Sequence, residues 1–185
     1  MANLIYLTNC SLDGYMEDED GEFSWFPPDA DVFAFTTEQM RAAGTLMYGR
    51  RLYEAMSVWE TDPSLAARSA EMAEFARVWR APEKVVYSTT LTAVSTANTR
   101  IEHDLDPATV RKLKETADRD LLIGGATIAA RAFEAGLVDE CRLLVWPLLV
   151  GGGKPALPRG VRTNLDLLEE RRFGNGVLFV RYGVG

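Results

Sequence analysis

The stretch LLIGGATIAARAFEAGLVDE, Leu121 to Glu140, decides how the chain folds. An apolar run, Leu121 to Ile123, stops at Gly124-Gly125. A small-residue helical pattern from Thr127 to Ala135 begins immediately behind it and is closed by Gly136. A long strand pattern then runs from Glu140 to Val150. Strand, glycine turn, helix and strand in this order is the unit that returns a chain parallel to its previous strand with the helix packed on the sheet. The glycine pair raises a second question, namely why side chains are missing between a strand and the helix that follows it.

The same alternation extends outward. Leu4 to Asn9 reads as a strand, followed by a polar, acidic loop from Ser11 to Glu22. Asp31 to Met40 reads as a helix behind Pro27-Pro28, Thr45 to Tyr48 as a short buried strand ending at Gly49, Arg50 to Val58 as a helix, and Ser64 to Arg80 as a longer one. Lys84 to Ser88 and a short Thr99 to Ile101 are strands, and Pro107 behind Asp106 opens a charged helix to Ala117. Leu165 to Arg172 and Val177 to Tyr182 flank Gly174-Asn175-Gly176, a tight turn that favours antiparallel pairing. The expected fold class is α/β, with a mostly parallel central sheet, helices on both faces and an antiparallel C-terminal hairpin.

With 185 residues, 47% hydrophobic and 25% charged, the chain suits one core and a single domain over 1–185. A net charge of −7 leaves no basic field for nucleic acid or an anionic membrane, so any phosphate must be held by a few local groups. Cys10 and Cys141 lie in apolar strand-like runs, as reduced buried thiols do, and with His103 the single histidine no metal site is expected. No apolar run reaches the ~20 residues that span a bilayer. The N-terminal MANLIYLTN enters a strand without a basic leader, and a cytoplasmic location is expected.

In open α/β sheets ligands bind beyond the carboxyl ends of the strands. Three strand ends carry suitable groups. Gly124-Gly125-Ala126-Thr127 leaves backbone N–H groups uncovered at a helix start, which favours an anion. Gly49-Arg50-Arg51 puts guanidinium groups at another helix start, an unfavourable place for a cation unless an anion joins it. Tyr87-Ser88-Thr89-Thr90 offers hydroxyls that, with a bidentate arginine, suit a phosphate monoester. Each also has an ordinary reading, as a turn, a solvated arginine and a loop.

On these residues the chain resembles the dihydrofolate reductase-like family that includes the RibD C-terminal domain, the reductase of bacterial riboflavin biosynthesis. The likeness runs through Ser11-Leu12-Asp13-Gly14-Tyr15, Met47-Tyr48-Gly49-Arg50-Arg51-Leu52-Tyr53-Glu54 and Val86-Tyr87-Ser88-Thr89-Thr90-Leu91. It continues through Leu122-Ile123-Gly124-Gly125, Ala135-Gly136-Leu137-Val138-Asp139-Glu140, and Pro147 with Gly151-Gly152-Gly153-Lys154-Pro155. The resemblance implies a dihydrofolate reductase-like three-layer α/β/α fold, NADPH as cofactor, 5-amino-6-(5-phosphoribosylamino)uracil reductase activity and a homodimer. It places Gly49, Gly124, Gly125, Ala126 and Thr127 under the cofactor, often with a strained or cis peptide at the glycine pair. It places Arg50, Ser88 and Thr89 at the 2′-phosphate, and the Ser11 to Tyr15 loop beside the nicotinamide. The chain departs from the family in having Leu52 where a threonine is usual and Thr89 where many relatives carry arginine, so preference for NADPH rests mainly on Arg50.

Candidate catalytic carboxylates are Asp13 and Asp31, the latter with Asp29 nearby; Asp is also a favoured helix N-cap, and Asp13 also suits a turn. Ser11, Tyr15, Trp25 and Phe26 are candidates for the substrate pocket, with core packing as the alternative for the rings. Gly151-Gly152-Gly153-Lys154 mimics a phosphate loop, but Pro155 stands where a Ser or Thr would hold magnesium, and no G-x-G-x-x-G occurs. The expected function is NADPH-dependent reduction of a small heterocyclic or carbonyl compound. A true dihydrofolate reductase and a non-catalytic nucleotide-binding dimer are the alternatives. The apolar run Leu143 to Val150, read as a costly edge, places the expected homodimer contact near the C-terminal strands.

Overall fold

The computed structural model describes residues 1–23, 25–27 and 29–185. Six parallel strands make most of the sheet: β1 (Leu4–Ser11), β3 (Thr45–Gly49), β4 (Glu83–Tyr87), β5 (Thr99–Glu102), β6 (Leu121–Gly124) and β7 (Glu140–Trp146). The hairpin β9 (Leu165–Arg172) and β10 (Leu178–Val184) adds two antiparallel strands, for the order β5-β4-β3-β6-β1-β7-β10-β9. A second, two-stranded sheet joins β2 (Tyr15–Glu17) to β8 (Lys154–Pro155). The expected acidic loop therefore contains a strand.

Continuous apolar runs work here because helices cover both sheet faces. Leu4, Tyr6, Met47, Val85, Leu121 and Ile123 pack on α6 (Pro107–Thr116) and α7 (Ala126–Glu134). Their alternating neighbours Ile5, Leu46, Tyr48, Val86 and Leu122 pack on α1 (Ala30–Arg41), α2 (Arg50–Met56) and α5 (Ala70–Arg80). The three-layer α/β/α arrangement follows from that alternation.

Two expected helices are divided. Arg50 to Val58 becomes α2 and the short α3 (Val58–Thr61), and Ser64 to Arg80 becomes α4 (Pro63–Ala66) and α5. Local caps explain the second break: Asp62 accepts from Ser64 N–H and Ser69 from Met72 N–H, each starting a new helix. Asp29 caps α1 through Val32 N–H, while Pro28 of the expected Pro27-Pro28 entry lies outside the described residues. The strand expected to reach Val150 stops at Trp146, since Pro147 has no N–H for a ladder. It is also no edge: β1 and β10 pair with β7 on either side, and the sheet ends instead at β5 and β9. The edge argument for the dimer contact is thus misplaced on β7.

Cys10 and Cys141 are free and buried, and burial pushes their thiols up to about 11 and about 12. Among the described residues no helix is long and apolar enough to cross a membrane.

Candidate active site

At the carboxyl ends of the parallel strands lies one cavity of about 720 Å³. It begins at Tyr87–Thr90 and His103, behind β4 and β5, passes Gly49-Arg50 and Gly125, behind β3 and β6, and reaches Leu7-Thr8-Asn9 on β1. From β5 to β1 is four strand spacings, roughly 19 Å at about 4.8 Å each, the span of an extended dinucleotide.

The middle of the cavity is built by two helix starts. α2 begins behind Gly49 and α7 behind Gly125, and neither has a side-chain cap, whereas Asp29, Asp62, Ser69 and Asp106 cap α1, α4, α5 and α6. Their leading N–H groups are thus left for a ligand, with the helix dipoles aligned behind them. The two caps approach each other, and a Cβ added to Gly125 would sit 3.7 Å from the Gly49 nitrogen. A Cβ on Gly49 would meet only Ile128 Cγ2 at 3.8 Å among the described residues, so the space beside it is open on its other sides. This donor set fits a pyrophosphate.

The glycine pair divides its work. Gly125 has φ +96°, a conformation that L side chains rarely adopt, and it lines the cavity. Gly124 does not line it: a Cβ there would strike Leu52 Cδ2 at 2.6 Å. Gly124 is therefore a packing glycine under Leu52, outside the lining, and the peptide between the two is trans. Ala126 also lies outside the lining, while Thr127 belongs to it.

At the β4–β5 end, Arg50 lines the cavity but gives its Nη1 to Glu54 at 3.2 Å, one helical turn on. Both side chains of this pair are half-exposed. The Ser88 hydroxyl accepts from the N–H groups of Thr90 (3.2 Å) and Leu91 (2.9 Å), which folds the loop and leaves Thr89 exposed beside Arg50. Arg131, one of the lining residues from α7, forms an ion pair with Asp104. Burial, and secondarily the Glu102 carboxylate, raises the Tyr87 phenol well above its ordinary value, so it stays protonated as a donor.

The β1 end is different in kind. Leu7, Met16, Phe23, Phe26, Met56 and Trp59 make apolar walls around Thr8 and Asn9. Trp146 donates its indole N–H to Asn9 Oδ1 at 2.9 Å. Because indole can only donate, the amide orientation is fixed, and Asn9 Nδ2 is left without a protein partner among the described residues. This end can therefore seat a flat apolar group and hydrogen-bond one polar edge.

The two candidate catalytic carboxylates do not reach this floor. Asp13 accepts from Gly151 N–H at 2.7 Å and Val150 N–H at 3.1 Å, tying two loops together at the surface. The Ser11 hydroxyl, then the loop N–H groups, hold its carboxyl below the usual range. Asp31 is exposed in the first turn of α1, away from the lining. Ser11 is buried and accepts from Tyr15 N–H at 2.9 Å, and Tyr15 pairs with Pro155, so both build the turn instead of the pocket. Trp25 donates to Glu22 O and packs at a tilt against Phe26, ring centroids 3.9 Å apart, and of this pair Phe26 lines the cavity. The glycine-rich segment clamps this loop. A Cβ on Gly153 would fall 2.2 Å from Glu17 O, and Ala156 N–H bonds Gly14 O at 2.9 Å.

The sequence matches the profile of the RibD C-terminal domain over residues 2–179. The chain belongs to that family. An uncharacterized Bacillus subtilis (strain 168) protein, YyaP, is 29% identical over 93% of this chain and 89% of its own. A Shewanella sp. PV-4 protein named for riboflavin biosynthesis has the same fold, with TM-score 0.77, 20% identity and coverage of 100% and 99%. The Thermotoga maritima diaminohydroxyphosphoribosylaminopyrimidine deaminase/5-amino-6-(5-phosphoribosylamino)uracil reductase matches with TM-score 0.65 and 15% identity; this chain covers 57% of it.

In this RibD C-terminal domain the sequence reading missed Thr8, Asn9, Phe23, Met56, Trp59, His103 and Arg131 among the lining residues. Thr8-Asn9 carried a signal, two polar residues at the carboxyl end of a buried strand. Met56 and Trp59 carried none, because apolar residues on a helix look the same whether they face a core or a cavity.

Proposed function

We propose that this RibD C-terminal domain is an NADPH-dependent reductase of a small heterocyclic or carbonyl compound, acting in the cytoplasm. The observation that carries the reading is the pair of uncapped, glycine-led helix starts side by side in one elongated cavity. Gly49, Gly125 and Thr127 would hold the pyrophosphate, Arg50 with Thr89 the 2′-phosphate, and Thr8 and Asn9 would face the nicotinamide end. The reductase named in the Thermotoga relative agrees with this chemistry.

Bound NADPH supplies the hydride. The apolar walls exclude water and hold the acceptor flat, and Asn9 Nδ2 hydrogen-bonds the heteroatom whose carbon is reduced. Among the described residues Glu17 is the one carboxylate in the lining, and it is paired with Arg51 and Lys154, so the proton that completes the reduction would come from solvent at the cavity mouth. The dihydrofolate reductase alternative loses support, because Asp29 is engaged as a helix cap and Asp31 does not line the cavity.

Titration with NADPH tests the reading. Trp59 lines the cavity, so binding should quench tryptophan fluorescence, and carbonyl or heterocyclic acceptors should then consume nicotinamide absorbance. Absence of NADPH binding would overturn the reductase. Binding without turnover of any acceptor would favour the non-catalytic alternative.

The homodimer belongs to the same proposal, moved to the true sheet edge. Every residue of β9 is exposed, including Leu165, Leu167 and Leu168 among five charged residues, and an open edge that carries three exposed leucines can pair with a second copy. Sedimentation should find a dimer that Leu167→Lys dissociates; a monomeric parent would remove the proposal.

A further inference from the structure

Resting on the reductase reading, we infer that Trp146, a residue outside the cavity, decides which acceptors the site takes. It is a positioning residue that holds the Asn9 amide with its N–H₂ end inward. The site then selects ring compounds that present a hydrogen-bond-accepting oxygen or nitrogen, of a C=O or C=N group, at the reacting carbon.

β1 and β7 run parallel with Ser11 opposite Trp146. Asn9 is two residues back from Ser11 and therefore on the same face of β1, within diagonal reach of the indole. The two residues meet the site differently. Asn9 lines the cavity, whereas Trp146 is buried among Val32, Leu144, Phe173, Val177 and Phe179. Asn9 Oδ1, which accepts the indole N–H at 2.9 Å, is thus turned to the wall, and Nδ2 to the cavity. Thr8, on the opposite face of β1, gives its hydroxyl to the Asn9 backbone carbonyl at 3.3 Å and does not compete for the amide.

An amide flip would set Nδ2 against the indole, donor against donor, and leave a buried N–H unpaired. That disfavours the flipped form by about tenfold or more. Without the indole N–H the amide would be free to turn, and the floor would offer donor and acceptor alike. The same indole backs the cavity wall, since its ring lies 5.1 Å from that of Phe26, which lines the cavity. Loss of the whole ring would loosen packing as well as orientation, so the decisive substitution removes the N–H and keeps an aromatic ring.

The test saturates the full chain with NADP⁺ and compares two naphthalenes of similar shape: 2-acetylnaphthalene, which only accepts a hydrogen bond, and 2-naphthylamine, which chiefly donates. Binding is followed by calorimetry, because the variants alter tryptophan fluorescence. One neutral hydrogen bond sets the scale, and the parent should prefer the ketone by about three- to tenfold. In Trp146→Phe the preference should fall to within about twofold or reverse, with NADP⁺ affinity unchanged within about twofold. Asn9→Ala should lose the preference as well, and adding Trp146→Phe should change it no further. A preference that survives Trp146→Phe would overturn the inference. So would a shift that Trp146→Phe still causes in the Asn9→Ala protein, the mark of a wall merely loosened. A parent that binds neither naphthalene, or both equally, would overturn it too. If Trp146→Phe does not fold, 3-benzothienylalanine at position 146, with sulfur in place of the N–H, is used instead and the same outcomes apply. Failure of NADP⁺ to bind sinks the reductase reading by itself, and the naphthalene comparison on cofactor-free protein still decides the role of Trp146.

Discussion

Alanine at Gly124 and alanine at Gly125 should fail in different ways, although the two positions are neighbours. At Gly124 the obstacle is space: the new Cβ would lie 2.6 Å from Leu52 Cδ2 and 3.4 Å from the Tyr48 ring. The leucine methyl is the end of a flexible side chain, so it can rotate at a cost of about 0.5–1.5 kcal/mol. At Gly125 the obstacle is conformation. The nearest atoms are 3.7–3.9 Å away, but φ is +96°, and holding alanine there costs roughly 1–3 kcal/mol. The added methyl also enters the gap between the Gly49 and Gly125 caps, so NADPH affinity should fall by on the order of tenfold or more, against a few-fold loss for Gly124→Ala. Urea denaturation reads the stabilities and tryptophan quenching the affinities. Leu52→Ala should cancel the stability loss of Gly124→Ala and leave that of Gly125→Ala in place. A Gly125→Ala protein as stable as its parent would refute the backbone argument. One that is destabilised yet binds NADPH normally would refute the cradle.

Arg50→Gln should weaken NADPH by roughly ten- to a hundredfold and leave NADH nearly unchanged, since one charge-assisted contact to the 2′-phosphate is lost; equal losses for both would assign the residue to the fold. Glu54→Gln frees the same guanidinium from its 3.2 Å ion pair and should tighten NADPH about two- to threefold, with Arg51→Gln as the neutral control for 2′-phosphate discrimination. Gly153→Ala drives a Cβ to 2.2 Å from Glu17 O, a backbone atom that cannot rotate away, so the Tyr15–Glu17 strand should detach and proteolysis within Ser11 to Glu22 should accelerate; an unchanged digestion pattern would dissolve the clamp. Cys10 and Cys141 titrate at about 11 and about 12 in the fold against an ordinary 9, so the unfolded state releases their protons first. Stability should accordingly be whole below about pH 9 and decline as pH rises through the folded values, a slope that Cys10→Ala/Cys141→Ala reduces.

The sequence by itself determined the layers. Short runs such as Leu121 to Ile123 and Thr45 to Tyr48, buried on both faces, can only be strands between helix layers, and Asn175 between two glycines can only turn the hairpin. It also marked the strand ends that matter, because Gly49, Arg50, Ser88 and Gly125 are unusual residues where a helix or loop begins. Tertiary structure decided the roles within those motifs. Gly124 and Gly125 are indistinguishable letters, yet one lies under Leu52 and the other holds a positive φ in the cavity. Asp13 looked catalytic from its place after the first strand, but its carboxylate closes on Val150 and Gly151, residues distant in sequence. The edge of the sheet was likewise hidden, since strand order depends on which segments meet across the chain: β10 returns to pair with β7 and passes the exposed edge to β9. Local chemistry fixes what each segment becomes, whereas what a side chain faces is set by neighbours that only the folded chain brings within reach.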